Sequence, residues 1–157
     1  TTFGGKPGDA LILTKGIAIE GTYIISKEKE ADLIQNNIDL QLIKKCQNLL
    51  NSPGISIVKE AQLAHRNFTV HAMHDPTEGG LAMGIVEMAQ NSNCGAIIDS
   101  KAIPLISGTE EFCRLYGLDP FGLIASGALL IAVPKEDVGG IVSYLEKNDI
   151  RASKIGA

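Results

Sequence analysis

No tryptophan occurs anywhere in this chain, and other aromatics are scarce: three tyrosines and four phenylalanines. A stacking platform for single-stranded nucleic acid interleaves aromatic with basic side chains, and no segment supplies that combination. Basic charge is short as well. Lysine and arginine number 14 against 18 acidic residues, a formal charge of −4, with no basic cluster to attract a phosphate backbone or an anionic membrane surface. Neither nucleic acid nor membrane is expected as a partner. Long apolar runs are also missing, since none approaches the roughly 18 residues needed to cross a bilayer.

Cysteine is sparse and scattered. Cys46, Cys94 and Cys113 are odd in number and far apart, without the Cys-x-x-Cys pairing of a zinc or redox site. Free thiols in a reducing cytoplasm are the expectation. The opening "TTFGGKPGD" lacks the charged and then apolar order of a signal peptide. Residues 1–9 are expected to be a linker from an amino-terminal domain, and residues 10–157 one globular domain, long enough to bury a real core.

Two periodicities alternate along the chain. "ALILT" (10–14) and "ALLIAV" (128–133) are short apolar runs of the buried-strand type. Phe68 to Met73 alternates as a strand does, "AIID" (96–99) is a further strand candidate, and "IRASKIG" (150–156) is an edge-strand candidate. Helical spacing begins at Glu20, and the polar "SKEKEADLIQNN" (26–37) is expected to close that region as a solvated connection.

Leu42, Ile43, Cys46, Leu49 and Leu50 form an amphipathic stripe that Asn51–Gly54 stops. Ile57, Val58, Ala61 and Ala64 share one face of the next helix, and Leu81, Ile85, Met88 and Ala89 share one face of another. Ser107 and Glu110 form a capping-box pattern for a helix that Gly117 ends. Pro134 introduces the last helix, with Val138, Ile141, Val142 and Leu145 on its buried face. Met73, Met83 and Met88 read as core filler. A mixed sheet with helices packed on it, an α+β arrangement, accommodates this order.

The stretch "HAMHDPTEGGL" (71–81) stands apart. Asp75 as N-cap, Pro76 at the first helical position and Glu78 at the third would satisfy the start of a helix. That account leaves Gly79 and Gly80 unexplained, because glycine in a helix costs about 1 kcal/mol relative to alanine. Two readings remain: tight helix packing, or a phosphate or carboxylate approaching amides that no side chain shields. Asp75 could instead hold a hydrated Mg²⁺ beside a phosphate. His65, His71 and His74 read as polar or packed residues, with acid–base work beside the loop as the competing role.

The succession "KPGDALILTKGIAIEGTYIIS", "VHAMHDPTEGGLAMGIVEMA", "AIPL" and "LYGLDPFGLIASGALLIAVP" resembles the carboxy-terminal domain of the aminoimidazole ribonucleotide (AIR) synthetase superfamily, in particular its HypE-like hydrogenase-maturation branch. The resemblance implies α/β/α layers with a mixed sheet. It also implies an amino-terminal domain that supplies most of an ATP and Mg²⁺ site, a homodimer in the full-length form, and a maturation partner protein. Such enzymes use ATP to phosphorylate an amide or carbonyl oxygen so that it leaves as phosphate; relatives act on purine precursors, make selenophosphate or phosphorylate thiamine phosphate.

Residue by residue, the resemblance carries a cleft-facing phosphate role onto Thr77, Gly79 and Gly80, with Asp75 as the metal candidate, and a second cleft-lining role onto Lys15 and Gly16. No catalytic residue follows from it. Lys15 is either a cation for phosphate or a solvated lysine at a strand end. The chain departs from HypE at three places: Glu78 and His74 stand where HypE tends to carry arginine, and Ser126 where it carries an acidic residue. The cysteine-bearing tail of HypE has no counterpart in these residues. A small-molecule kinase of the thiamine phosphate type and a non-catalytic ligand- or partner-binding domain are the alternatives.

Overall fold

Alternation decides the centre of the molecule. In β1 (Ala10–Thr14) all five residues are buried, with Ala10 and Ile12 on one face and Leu11 and Leu13 on the other. β3 (Leu130–Val133) repeats the pattern. A strand buried on both faces must be covered on both, which explains why these runs read as continuously apolar. With β2 (Ala72–His74) and β4 (Ala152–Gly156) they form a four-stranded sheet of order β2-β3-β1-β4 in the computed structural model, which describes residues 1–157.

All three ladders are antiparallel, and the parallel contribution is one isolated bridge between Ile17 and Leu105. One face packs on α5 (Gly80–Ser92) through Leu81 and Met88. The other packs on α4 (Val58–Asn67) and α7 (Val138–Glu146) through Ala64, Ile141 and Leu145. A separate apolar cluster, centred on Phe112, joins α1 (Ile19–Glu28), α2 (Glu30–Gln35), α3 (Leu40–Cys46) and α6 (Thr109–Tyr116). Helices thus flank the sheet in the expected layers.

Several local expectations are corrected. The polar stretch 26–37 is not a plain connection, because residues 30–35 form α2. Leu33 is fully buried and Tyr116 Oη donates to Asp32 Oδ2 at 2.6 Å, so tertiary contacts hold a segment whose composition reads as solvated. Residues 96–99 do not form a strand of the sheet. Ile97 and Ala157 exchange backbone hydrogen bonds, yet Ile97 is 82% exposed and the chain turns into a 3₁₀ segment at Ser100.

Of the alternating run Phe68 to Met73, only Ala72 and Met73 register with β3, and the strand continues one residue further to His74. Ser107 does not cap α6; Gly108, at φ +87°, occupies that position, and Ser107 Oγ accepts from Lys45 Nζ. On α4 and its N-cap, Ile57, Ala61 and Ala64 pack on the core as expected, but Val58 is exposed and Glu60 is buried. Met88 is core, whereas Met83 is 45% exposed.

Residues 1–9 run beside β2 and α5. Met73 N–H donates to Thr1 O at 2.9 Å, Gly5 N–H donates to Ser92 Oγ at 3.0 Å, and the Asp9 carboxylate lies 2.8 Å from His71 Nδ1.

Candidate functional site

β1 and β2 lie on opposite sides of β3, and Leu13 and His74 both register with Leu130. The two strands therefore run parallel to each other and end at the same end of the sheet, about two inter-strand spacings, or roughly 10 Å, apart. The segments after them, Lys15–Ala18 and Asp75–Gly79, are brought together by this topology alone. The 121–128 segment leading into β3 passes the same end, where Ala125 N–H donates to Thr77 O at 3.3 Å and Gly21 N–H donates to Ile124 O at 3.1 Å.

The helix starts later than the capping reading predicts. Gly79, at φ +76°, is the N-cap of α5 and makes no side-chain capping bond, so Asp75, Pro76 and Glu78 all lie ahead of the helix and form no capping box. Pro76 is buried beneath Gly84, whose missing Cβ makes room for it. Gly80, at φ +63°, is buried against the Phe121–Leu123 backbone. A Cβ there would meet the Phe121 and Leu123 carbonyls, and its own N–H already donates to Thr77 O at 3.1 Å.

Packing therefore accounts for Gly80. Thr77, Glu78 and Gly79 remain exposed, and their backbone N–H groups donate to no group in the chain. A run of free amides ahead of a helix N-terminus is suited to an anion.

Lys15 is neither a free cation nor a solvated lysine. Its residue adopts φ +58° and its side chain is 9% exposed. Nζ donates to Ser56 O at 2.6 Å and Gly54 O at 3.3 Å, and lies 2.9 Å from Glu60 Oε1. The geometry of that last contact leaves Oε1 close to a positive charge but without an aligned hydrogen bond. Gly16 is equally enclosed, with its N–H on Thr14 O at 2.7 Å and the Pro104 carbonyl where a Cβ would stand. Glu60 is the residue that sequence reasoning missed. Nothing local marks a carboxylate on an amphipathic helix as buried when its partner belongs to another element.

Asp75 stands beside these groups. Desolvation raises its carboxyl above the usual aspartate range; His74 and Lys15 pull it down, and Glu60 and Glu20 push it up. The residue stays exposed overall, so solvent screens these effects. As a metal site Asp75 is a lone carboxylate, because no three His, Cys, Asp or Glu side chains converge anywhere in the chain. These residues do not by themselves fit a Mg²⁺ ion, which needs oxygen ligands on several sides.

The histidines have partners that the sequence did not reveal. His74 places Nδ1 3.0 Å from Thr2 Oγ1 and Nε2 2.9 Å from Glu87 Oε2; His71 lies between Asp9 and Lys6; His65 is exposed. All three thiols are free, and burial pushes Cys46 up to about 11.

The family pattern described as AIR synthase related protein, C-terminal domain, matches residues 6–157. The chain belongs to this family. Among AIR synthase related proteins, a putative hydrogenase expression/formation protein of Methanocaldococcus jannaschii is 31% identical over 92% of the chain and 40% of its own length. A selenide, water dikinase of the same organism is 30% identical over 99% of the chain and 47% of its own length. The carbamoyl dehydratase HypE of Rhizobium leguminosarum bv. viciae is 27% identical over 94% and 39%.

The fold is also that of Escherichia coli HypE, at TM-score 0.74 and 21% identity over 99% of this chain and 45% of that one. Two further structures share it: a HypE in complex with ATP, at 0.69 and 21% over 100% and 44%, and a HypE–HypF complex, at 0.72 and 20% over 99% and 48%. The chain spans less than half the length of each of these relatives. No helix is long and apolar enough to cross a membrane.

Proposed function

We propose that this domain closes one side of an ATP cleft in an enzyme of the HypE kind, which activates an amide or carbonyl oxygen by phosphorylation. The observation that carries the reading is the run of exposed, unpaired amides at Thr77–Gly79. It is held in place by the Thr77–Ala125 hydrogen bond and by the packing of Gly80. Amides fixed before a charged group arrives stabilise a transferring phosphoryl group without reorganising.

In this reading Thr77 and Gly79 meet phosphate, Gly80 shapes the loop, and Lys15 and Gly16 brace the neighbouring wall. An amino-terminal half, reached through residues 1–9, supplies the rest of the ATP site. Mg²⁺ would take most of its ligands from the nucleotide and from that half. The full-length protein is proposed to form a homodimer and to meet a maturation partner protein, as in the HypE–HypF complex. Of the three departures from the HypE pattern, Glu78 lies in the loop and Ser126 in the segment bonded to it, so these two bear on the acceptor, whereas His74, the last residue of β2, is held by Thr2 and Glu87 and bears on the fold.

The test is ATP turnover with Mg²⁺ in the full-length protein, offered carboxamide and amine acceptors, against the isolated domain. Phosphate release from the full-length protein and none from the domain is the expected result. Turnover by the domain alone at an ordinary enzymatic rate would overturn the split site. A stable phosphorylated product would mark a kinase of the thiamine phosphate type, and no release with any acceptor a non-catalytic binding domain.

A further inference from the structure

Residues 1–9, the proposed route to the amino-terminal half, include Gly4, Gly5 and Gly8, a composition that reads as a flexible tether. The fold holds the segment at four places instead. Thr1 O accepts from Met73 N–H, Thr2 Oγ1 lies 3.0 Å from His74 Nδ1, Gly5 N–H donates to Ser92 Oγ, and Asp9 Oδ2 lies 2.8 Å from His71 Nδ1. Gly4 lets the segment close on its neighbour, since a Cβ there would stand 2.7 Å from the His71 carbonyl oxygen. The linker is therefore fixed relative to β2 and α5.

One of these contacts leads into the amide loop. His74 ends β2 and directly precedes Asp75. Its side chain is 16% exposed and is gripped at both ring nitrogens, with Nε2 2.9 Å from Glu87 Oε2 on α5. A carboxylate only accepts, so Nε2 carries a proton, and in the neutral ring Nδ1 accepts from the Thr2 hydroxyl. The ring also lies against α5 at Gly84, where a Cβ would stand 3.1 Å from His74 Cδ2 and 2.7 Å from Pro76 Cβ.

His74 and Pro76 thus rest on α5 on either side of Asp75, and the loop leaves from a base that Thr2 helps to hold. The other linker contacts end on the Met73 backbone, on Ser92 at the far end of α5, and on His71, three residues before His74.

We infer that His74 is a positioning residue, which carries the placement of the linker into the Thr77–Gly79 amides through its bond to Thr2. The inference rests on the proposed ATP reading and adds to it how the two halves communicate. With the linker seated, both ring nitrogens are engaged and the amides are fixed before a phosphate arrives. When the amino-terminal half draws the linker away, Nδ1 loses its partner and the base of the loop loosens. The coupling is reciprocal, so bound phosphate also favours the seated linker.

ATP binding to the full-length protein with Mg²⁺, measured by calorimetry, tests this. Thr2→Val keeps the shape of the side chain and removes the hydroxyl, whereas Thr2→Ser keeps the hydroxyl; Thr2 is only part-buried, so both variants keep the fold. ATP should bind Thr2→Val more weakly by about threefold to tenfold, the range of one hydrogen bond, and should bind Thr2→Ser as it binds the wild type. In a His74→Ala background, Thr2→Val should weaken binding no further, because the route is already cut. Wild-type affinity in Thr2→Val, no recovery in Thr2→Ser, or independent losses from the two positions would each overturn the inference while leaving the ATP reading intact. A wild type that binds no ATP would overturn that reading, and the inference with it.

Discussion

Gly79 and Gly80 stand side by side at positive φ for different reasons. Gly79 is exposed, and an added Cβ would stand 2.7 Å from Met83 Cβ, one turn along α5; Gly80 lies under the Phe121 and Leu123 carbonyls, closer still. Gly79→Ala is expected to cost about 1–2 kcal/mol, the strain of a left-handed residue together with a small shift of the helix start away from Met83 Cβ. Gly80→Ala should cost about 2–4 kcal/mol, because collision adds to strain. Urea denaturation of the two variants compares them directly.

Lys15 and Glu60 make a second residue-scale case. Removing one partner of a buried pair strands the other, so Glu60→Leu should lose about 3–5 kcal/mol, whereas Lys15→Met with Glu60→Leu should recover most of it. Thermal unfolding of the single and double variants gives the answer. The glycine pair was visible in the sequence as an anomaly, but which glycine answers to packing was not, since the 121–123 backbone comes from a distant part of the chain.

At the scale of elements, α2 is the segment that composition misjudged. A six-residue helix is too short to be stable by itself, and this one persists because Leu33 enters the Phe112 cluster and Asp32 accepts the Tyr116 hydroxyl of α6. Burial first, and then the bond to Asp32, push Tyr116 up to about 12 from its ordinary value of 10. The folded state therefore holds this proton more tightly than the unfolded chain. The contribution is complete below pH 10 and is lost as pH rises through about 12. Tyr116→Phe should flatten that alkaline slope, read from urea midpoints at a series of pH values. The strands were easier to read than α2: β1, β3 and β4 combine an apolar or alternating pattern with flanking turn residues, and both signals are local.

Across the whole molecule, the Lys15–Ala18 and Asp75–Gly79 segments meet because β1 and β2 share an end, which is a property of strand order. The charge there is mostly acidic: Glu60 and Glu20 lie near enough to Asp75 to act on its carboxyl, Glu78 belongs to the loop of free amides itself, and Lys15 is already engaged. An acidic residue beside an anion site opposes the anion. Glu78→Arg in the full-length protein should therefore tighten ATP binding, on the order of fivefold at low salt and less at high salt. Titration calorimetry at two salt concentrations measures both. Unchanged affinity would place Glu78 away from the phosphates.

The sequence by itself determined the family, the alternation of strands and helices, and the double-sided burial of β1 and β3, and it singled out the segment proposed to carry the site. These follow from periodicity, turn chemistry and motif order, all of which are local. Only the tertiary structure decided that Asp75 and Glu78 stand outside the helix, that Gly80 is a packing residue, that Glu60 is buried on Lys15, and that His74 lies between Thr2 and Glu87. Each of these is a contact between segments far apart in the chain. The energy of such a contact depends on what the fold places opposite a residue, and no pattern within one segment encodes that.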